Sequence, residues 1–335
     1  MNSDFYNIFR NYQEISVRYD EKHKAVWCYF NPAPRPCFSS IMLKELRQMQ
    51  QAIMDFFANK PSATDSPIQY FILCSQIPGV FNLGGDLALF VKLIREKKKA
   101  QLLAYATACI DLCYLNSVSM HLPLTTISLV EGTALGGGFE SALSGNILLA
   151  TKNAEMGFPE IRFNLFPGMG AYSFLARIAG TAAADKMISS GKIYSGKALY
   201  KKGLVHQLID SKRSHEDAKQ FIRRHRRSGN GHRALQLVRQ RYHPLIYEEL
   251  VDITEIWVNA ALKLENKNLR MMERLVQAQL NKTSPEKYVK KRLVRTGQDR
   301  RFTSSSQSFP LTDWSGKEIV SDRRKNVDRR TLHKD

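Results

Sequence analysis

Two glutamates and two glycine-rich loops carry the chemistry that this 335-residue sequence offers. Glu140 closes the run Gly136-Gly137-Gly138-Phe139-Glu140, and Glu160 follows Met156-Gly157-Phe158-Pro159. Both have small or apolar neighbours, so both carboxyls are expected to be semi-buried. Burial penalises the charged form and moves a carboxyl toward the range where proton transfer near neutrality is efficient. Two such groups flanking one substrate divide the work between a base and an acid. Taken singly, each is more readily read as a solvated surface residue.

The glycines give the pair something to act on. Gly136, Gly137 and Gly138 lie between an apolar strand and a helix, and they remove every side chain where backbone meets ligand. The helix that follows aims its first N–H groups and the positive end of its dipole at the same spot, which suits an anion or a developing oxyanion. A second pair, Gly84-Gly85, stands in Phe81-Asn-Leu-Gly-Gly-Asp86, again after a strand and before a helix. Each loop can offer one backbone N–H to a single thioester oxygen, and losing one such donor typically costs about 3 kcal/mol in barrier. Tight strand–helix packing and ordinary turns select the same glycines.

The elements that must position these groups alternate. Strands are predicted at Ile15 to Tyr19, Ala25 to Phe30, Ile68 to Cys74, Thr125 to Val130 and Ile147 to Thr151, with a further one at Leu204 to Ile209. Helices are predicted at Met42 to Phe57, from about Leu87 to Leu115, and from the glycine run through about Ser144. Such alternation argues for crossover units and an α/β domain. From Thr181 the pattern becomes mainly helical, with helices at about 215–228, 245–265 and 267–281. The expected division is a core over 10–210, a helical C-terminal region over 211–284, and a basic tail over 285–335. The tail holds 14 Lys+Arg against 7 Asp+Glu and a Ser-rich patch. It is expected to extend the last helix to about Arg295 and then to be disordered.

Composition sets the class. At 43% apolar and 24% charged, the chain is an ordinary globular protein with ample length for a core. Its net charge of +19 points to acidic partners and says nothing about fold. The five cysteines have no metal-type spacing and are expected to be reduced. No apolar run reaches the roughly 20 residues needed to span a bilayer, and the first residues lack a leader pattern, so a cytoplasmic protein is expected. Nothing in the sequence calls for a cofactor or a metal.

Ser128-Leu-Val-Glu-Gly-Thr-Ala-Leu-Gly-Gly-Gly-Phe-Glu140 resembles the signature of the enoyl-CoA hydratase/isomerase (crotonase) family, as does Met156 through Gly170. Phe81 to Asp86 looks like the family's first oxyanion loop, and Tyr200-Lys-Lys-Gly-Leu-Val205 matches its Ala-Gly-Leu-Val segment. Within the family, the segments Phe81–Phe90, Pro159–Phe174 and Ile253–Val258 are most similar to bacterial diffusible-signal-factor synthases. The likeness covers about residues 10–282, and the tail lies outside it.

This resemblance implies a β-β-α spiral core with a C-terminal helical region, and a homo-oligomer, often a trimer in the family. It implies a 3-hydroxyacyl thioester on acyl carrier protein, or alternatively on coenzyme A. The carbonyl oxygen would be held by Gly137 and by the Gly84-Gly85 pair, Gly85 being favoured. One glutamate would take the α-proton and the other would protonate the departing 3-hydroxyl. Hydrolysis would then release a free cis-2-unsaturated acid. Leu135, Met156, Met169 and Trp257 are candidate walls for the acyl chain, with plain core packing as the other reading. Arg223, Arg224, Arg226 and Arg227 form a basic cluster that reads first as a solvated basic face and also suits an acidic carrier. Such synthases can also be held by sensor proteins. The rivals are an ordinary enoyl-CoA hydratase or isomerase and a nucleic-acid-binding relative. The latter is ranked low because no aromatic-basic recognition motif is present.

Overall fold

The computed structural model describes residues 3–58 and 66–283, with two short strand segments at 311–312 and 318–319. Met1–Ser284 form one compact unit and Pro285–Asp335 another. In the first, helix α1 (Ser3–Asn7) precedes strands β1 (Ile15–Asp20) and β2 (Ala25–Phe30) and helix α2 (Ser40–Ala58). β3 (Tyr70–Ser75) and β4 (Val80–Asn82) lead to α3 (Leu87–Arg95) and α4 (Lys99–Ser117). β5 (Thr125–Val130) and β6 (Thr133–Leu135) lead to α5 (Gly137–Ser144). β7 (Ile147–Thr151) and β8 (Glu155–Gly157) lead to a 3-10 turn at Glu160–Phe163 and to α6 (Ala171–Ala179). There follow α7 (Thr181–Ser190), β9 (Ile193–Ser195), α8 (Gly196–Lys201) and β10 (Gln207–Ile209). The unit closes with α9 (Ser214–Arg227), α10 (Gly229–Tyr242), α11 (Tyr247–Ala261) and α12 (Asn266–Thr283).

Three successive strand–strand–helix turns thus wind two sheets at once. One sheet has the order β1-β2-β3-β5-β7-β10 and the other β4-β6-β8-β9. This is the β-β-α spiral that the resemblance implies. All pairings in the larger sheet are parallel except β1 with β2. Its central strands are apolar on both faces, as parallel strands covered on both sides must be. Val26, Cys28, Phe30, Phe71 and Leu73 face the main core with α2, α4 and α5. Ala25, Trp27, Tyr70, Ile72 and Cys74 face the opposite side, where Ala218 and Ile222 of α9 cover them. All five cysteines are free and buried, and Cys109 and Cys113 share one face of α4.

The structure departs from the predicted elements in several places. The long helix expected over 87–115 is two helices. The first ends where Lys97 turns to φ 52 and the Lys98 N–H closes back on the Leu93 carbonyl. Helical apolar spacing continues on both sides of this charged corner, so periodicity alone runs straight through it. The strand expected from Leu204 is paired only from Gln207. Helix α10 is additional. Among its 14 residues none is buried, so it carries no core-facing stripe to read. The expected continuation of the last helix to Arg295 lies outside the described residues. In the second unit, Leu311–Thr312 and Glu318–Ile319 pair antiparallel.

Candidate active site

The first oxyanion-type loop is fixed by its own asparagine. Asn82 ends β4, is fully buried, and its Oδ1 accepts the Gly84 N–H at 2.7 Å. That engagement removes Gly84 as a donor and leaves Gly85, whose N–H has no acceptor among the described residues. Gly84 is instead a packing position, with φ +95 and no room for a Cβ beside the Leu135 carbonyl and the Gly137 nitrogen, 2.8 and 3.0 Å away. Asp86 then caps α3 by accepting from the Ala88 and Leu89 amides, and it pairs with Arg35 at 2.7 Å. Its own N–H donates to the Tyr105 hydroxyl, which donates to the Phe38 carbonyl. Sequence reasoning missed this brace, because its members come from three segments separated by tens of residues.

The second loop meets the first. Gly137 opens α5, and the position its Cβ would take is 3.4 Å from the Gly85 nitrogen. The Gly137 N–H likewise has no acceptor among the described residues. Two unengaged amides from different turns of the spiral therefore sit side by side at a helix N-terminus, the arrangement that stabilises an oxyanion.

Glu140 sits on the first turn of α5 and is 1% exposed. Its Oε1 accepts the Met169 N–H at 2.7 Å and the Ala171 N–H at 2.9 Å. Burial pushes its carboxyl up to about 7, against the opposing pull of those two hydrogen bonds. Glu160 begins the 3-10 turn after Pro159, with Oε1 against the Cα side of Gly136, where a Cβ would overlap it. Its Oε2 is buried and has no hydrogen-bond partner among the described residues. Burial first, and repulsion from Glu140 second, hold this carboxyl well above the usual carboxylate range.

Both glutamates, Gly85 and Gly137 line one cleft of ≈ 930 Å³, solvent at its mouth included. Leu135, Met169 and Trp257 line it too. Met156 does not. It lies on β8 inside the core, fully buried, one residue before the Gly157 that pairs with Leu135. The sequence reading also missed Phe163, Leu165 and Leu275, whose apolar character gives no sign of which cavity they face. Trp257 packs edge-on against Phe90 at 5.1 Å, and Arg177 grips Glu249 at 2.7 Å, tying the α6 end of the Glu140 loop to α11. Three arginines of the α9 cluster are engaged elsewhere: Arg223 with His23, Arg224 with Gln207 and Arg226 with the Lys22 carbonyl.

A spiral of this topology is the crotonase fold. The enoyl-CoA hydratase/isomerase family model matches residues 47–294, and the chain belongs to that family. It is 29% identical to probable enoyl-CoA hydratase 2, mitochondrial, of Arabidopsis thaliana, over 56% of this chain and 57% of that protein. It is 31% identical to the mitochondrial methylglutaconyl-CoA hydratase of Rattus norvegicus, over 44% of each. The chain thus matches about half the length of these curated relatives. Among solved structures, Pseudomonas aeruginosa DspI shares the fold, with a TM-score of 0.55 and 21% identity over 81% of this chain and 97% of that one. No helix among the described residues is long and apolar enough to cross a membrane.

Proposed function

We propose that this chain is a dehydratase and thioesterase that converts a 3-hydroxyacyl thioester on acyl carrier protein into a free cis-2-unsaturated fatty acid, a diffusible signal. The observation that carries the reading is the unequal pair of buried carboxyls, one with an unpartnered oxygen, beside two unengaged amides. The likeness of the motifs to diffusible-signal-factor synthases supplies the choice of product.

The pair supports a closed proton cycle. The thioester oxygen accepts from the Gly85 and Gly137 N–H groups, which stabilise the enolate that forms when Glu140, about half ionised at neutral pH, takes the α-proton. Glu160, held protonated by burial and by its neighbour, gives its proton to the 3-hydroxyl, which leaves as water while the double bond forms. Glu160 is now the base. It takes a proton from water attacking the thioester carbon, and Glu140 returns its proton to the departing thiolate. The free acid leaves, and both carboxyls are back in their starting states. The apolar cleft keeps the reacting atoms in a low-dielectric setting, where each of these interactions is strong.

The named hydratases among the relatives favour a second reading, reversible hydration of a trans-2-enoyl-CoA. Product analysis separates the two, because only the synthase releases a free cis-2-enoic acid. Lipid extracts from cells expressing wild type, Glu140→Ala and Glu160→Ala test the pair. Accumulation of the acid at the wild-type level in either variant would refute it. A homo-oligomer is part of the proposal, supported by the exposed Leu237, Val238 and Tyr242 on α10. A sensor protein is proposed as a further partner on the likeness alone.

A further inference from the structure

Where β3 and β5 begin, the corner between α9 and α10 leaves an open cavity of ≈ 560 Å³, solvent at its mouth included. Gln69, Tyr70 and Thr125 reach it from the sheet, Arg226 from α9 and Arg233 from α10. It shares no lining residue with the cleft. β3 and β5 run away from it for six residues each, about 20 Å, before the chain turns toward the glycine loops.

Positive charge gathers here without a partner. No acidic residue lines the cavity. Arg233 has no ion pair or hydrogen bond among the described residues, and Arg226 gives one N–H to the Lys22 carbonyl at 3.1 Å and keeps the rest of its fork. Both guanidiniums lie near enough to the Tyr70 hydroxyl to pull against the burial that raises it. The His225 Nδ1 is 2.9 Å from that hydroxyl, and the His225 ring stacks on His232 at 4.0 Å. Burial first, and His232 second, hold His225 down to about 4, so near neutrality its ring is an uncharged hydrogen-bonding surface. The start of α10 adds donors. Ser228 supplies no side-chain cap, and the first backbone bond runs from the His232 N–H to the Ser228 carbonyl. The amides of Gly229, Asn230 and Gly231 therefore have no acceptor among the described residues. Gly229 and Asn230 line the cavity, and a Cβ on Gly229 would meet nothing within 4 Å.

We propose that this cavity binds the phosphate group of a small phosphorylated molecule, with Arg226 and Arg233 as its charged clamp and the first turn of α10 as its backbone cradle. A guanidinium presents parallel N–H donors that match two phosphate oxygens, and the helix amides add donors aligned with the dipole. An anion seated here offsets the repulsion between the two arginines. It also ties α10, none of whose 14 residues is buried, to α9 and to the sheet. The site stands independently of the reaction assigned to the cleft.

The test is titration calorimetry of the full-length protein with inorganic phosphate, pyrophosphate and adenosine monophosphate, at a single ionic strength held with sodium chloride. Saturable binding of at least one probe is expected, and the tightest of the three shows whether the cavity takes a free anion, a diphosphate or a monoester. Arg233→Gln and Arg226→Gln should each weaken that binding about tenfold or more. Arg224→Gln removes the same charge from the same helix outside the cavity, where Arg224 bonds Gln207, and should leave affinity within about twofold. Equal losses in all three variants report only the basic field of the protein and overturn the site. The absence of saturable binding by the wild type overturns it too. Arg233 makes no described hydrogen bond, so its variant decides alone if Arg226→Gln loses cooperative unfolding. A single-stranded RNA that binds more tightly than all three probes, and weakens equally in every variant, overturns the small-molecule reading.

Discussion

Glu140→Gln should stabilise the protein, and only on the alkaline side. The folded protein holds the Glu140 carboxyl up to about 7, against an ordinary value of 4.5, chiefly through burial. Between those two values the native state keeps a proton that the unfolded chain has released. Stability therefore falls as pH rises, by 1.36 kcal/mol per pH unit from this site. The full loss across 2.5 pH units is about 3 kcal/mol, complete above pH 7 and absent below pH 4.5. Glutamine has nothing to ionise, and its side-chain oxygen can accept the same Met169 and Ala171 N–H groups, because both now fall on a single carboxylate oxygen. Urea denaturation of wild type and variant at pH 4.5 and pH 8 measures the difference directly. The variant should gain roughly 3 kcal/mol at pH 8 and almost nothing at pH 4.5. Glu160 loses the repulsion of an ionised Glu140 in the variant, so its upward shift is smaller there and any effect adds to the gain on the alkaline side. An equal difference at the two pH values would refute the claim that Glu140 is a desolvated carboxyl, and with it the base assigned to the cycle.

Gly137→Ala places a Cβ 2.7 Å from the Met169 sulfur and displaces the amide beside it, so turnover of a thioester substrate should fall by about a hundredfold or more in kcat. Asn82→Ala frees the Gly84 N–H inside the protein and should cost about 1–3 kcal/mol of stability by urea titration. Met156→Leu sits in the core away from the cleft, so kcat/KM should stay within about twofold while stability changes by less than about 1.5 kcal/mol. Leu237→Glu with Val238→Glu puts charge on the exposed face of α10, and sedimentation should report a smaller assembly than wild type.

The glycine loops and both glutamates were legible because their chemistry is local. A residue with no side chain, followed by a helix start, offers its amide wherever the rest of the chain goes. The sheet strands were legible because parallel strands buried on both faces read as continuous apolar runs. Lys97 was opaque, since nothing about a lysine in a charged stretch announces a left-handed backbone. Met156 and Met169 could not be told apart by type. One lies on a paired strand inside the core and the other on a loop whose amide points at Glu140, so the register of β8 decided between them.

The cost of keeping two carboxyls in one apolar cleft explains how the rest of the site is built. A fold selected for stability alone would replace Glu140 and Glu160 with apolar groups, and the pH argument puts the gain at Glu140 near 3 kcal/mol. The chain retains them and spends structure on holding them apart in protonation. Glu140 receives two backbone amides that favour its ionised form, while Glu160 Oε2 has no partner among the described residues and its carboxyl is held well above the usual carboxylate range. In the proposed cycle two identical side chains acquire opposite roles through one loop, Gly168 to Ala171, which donates to Glu140 alone among the two.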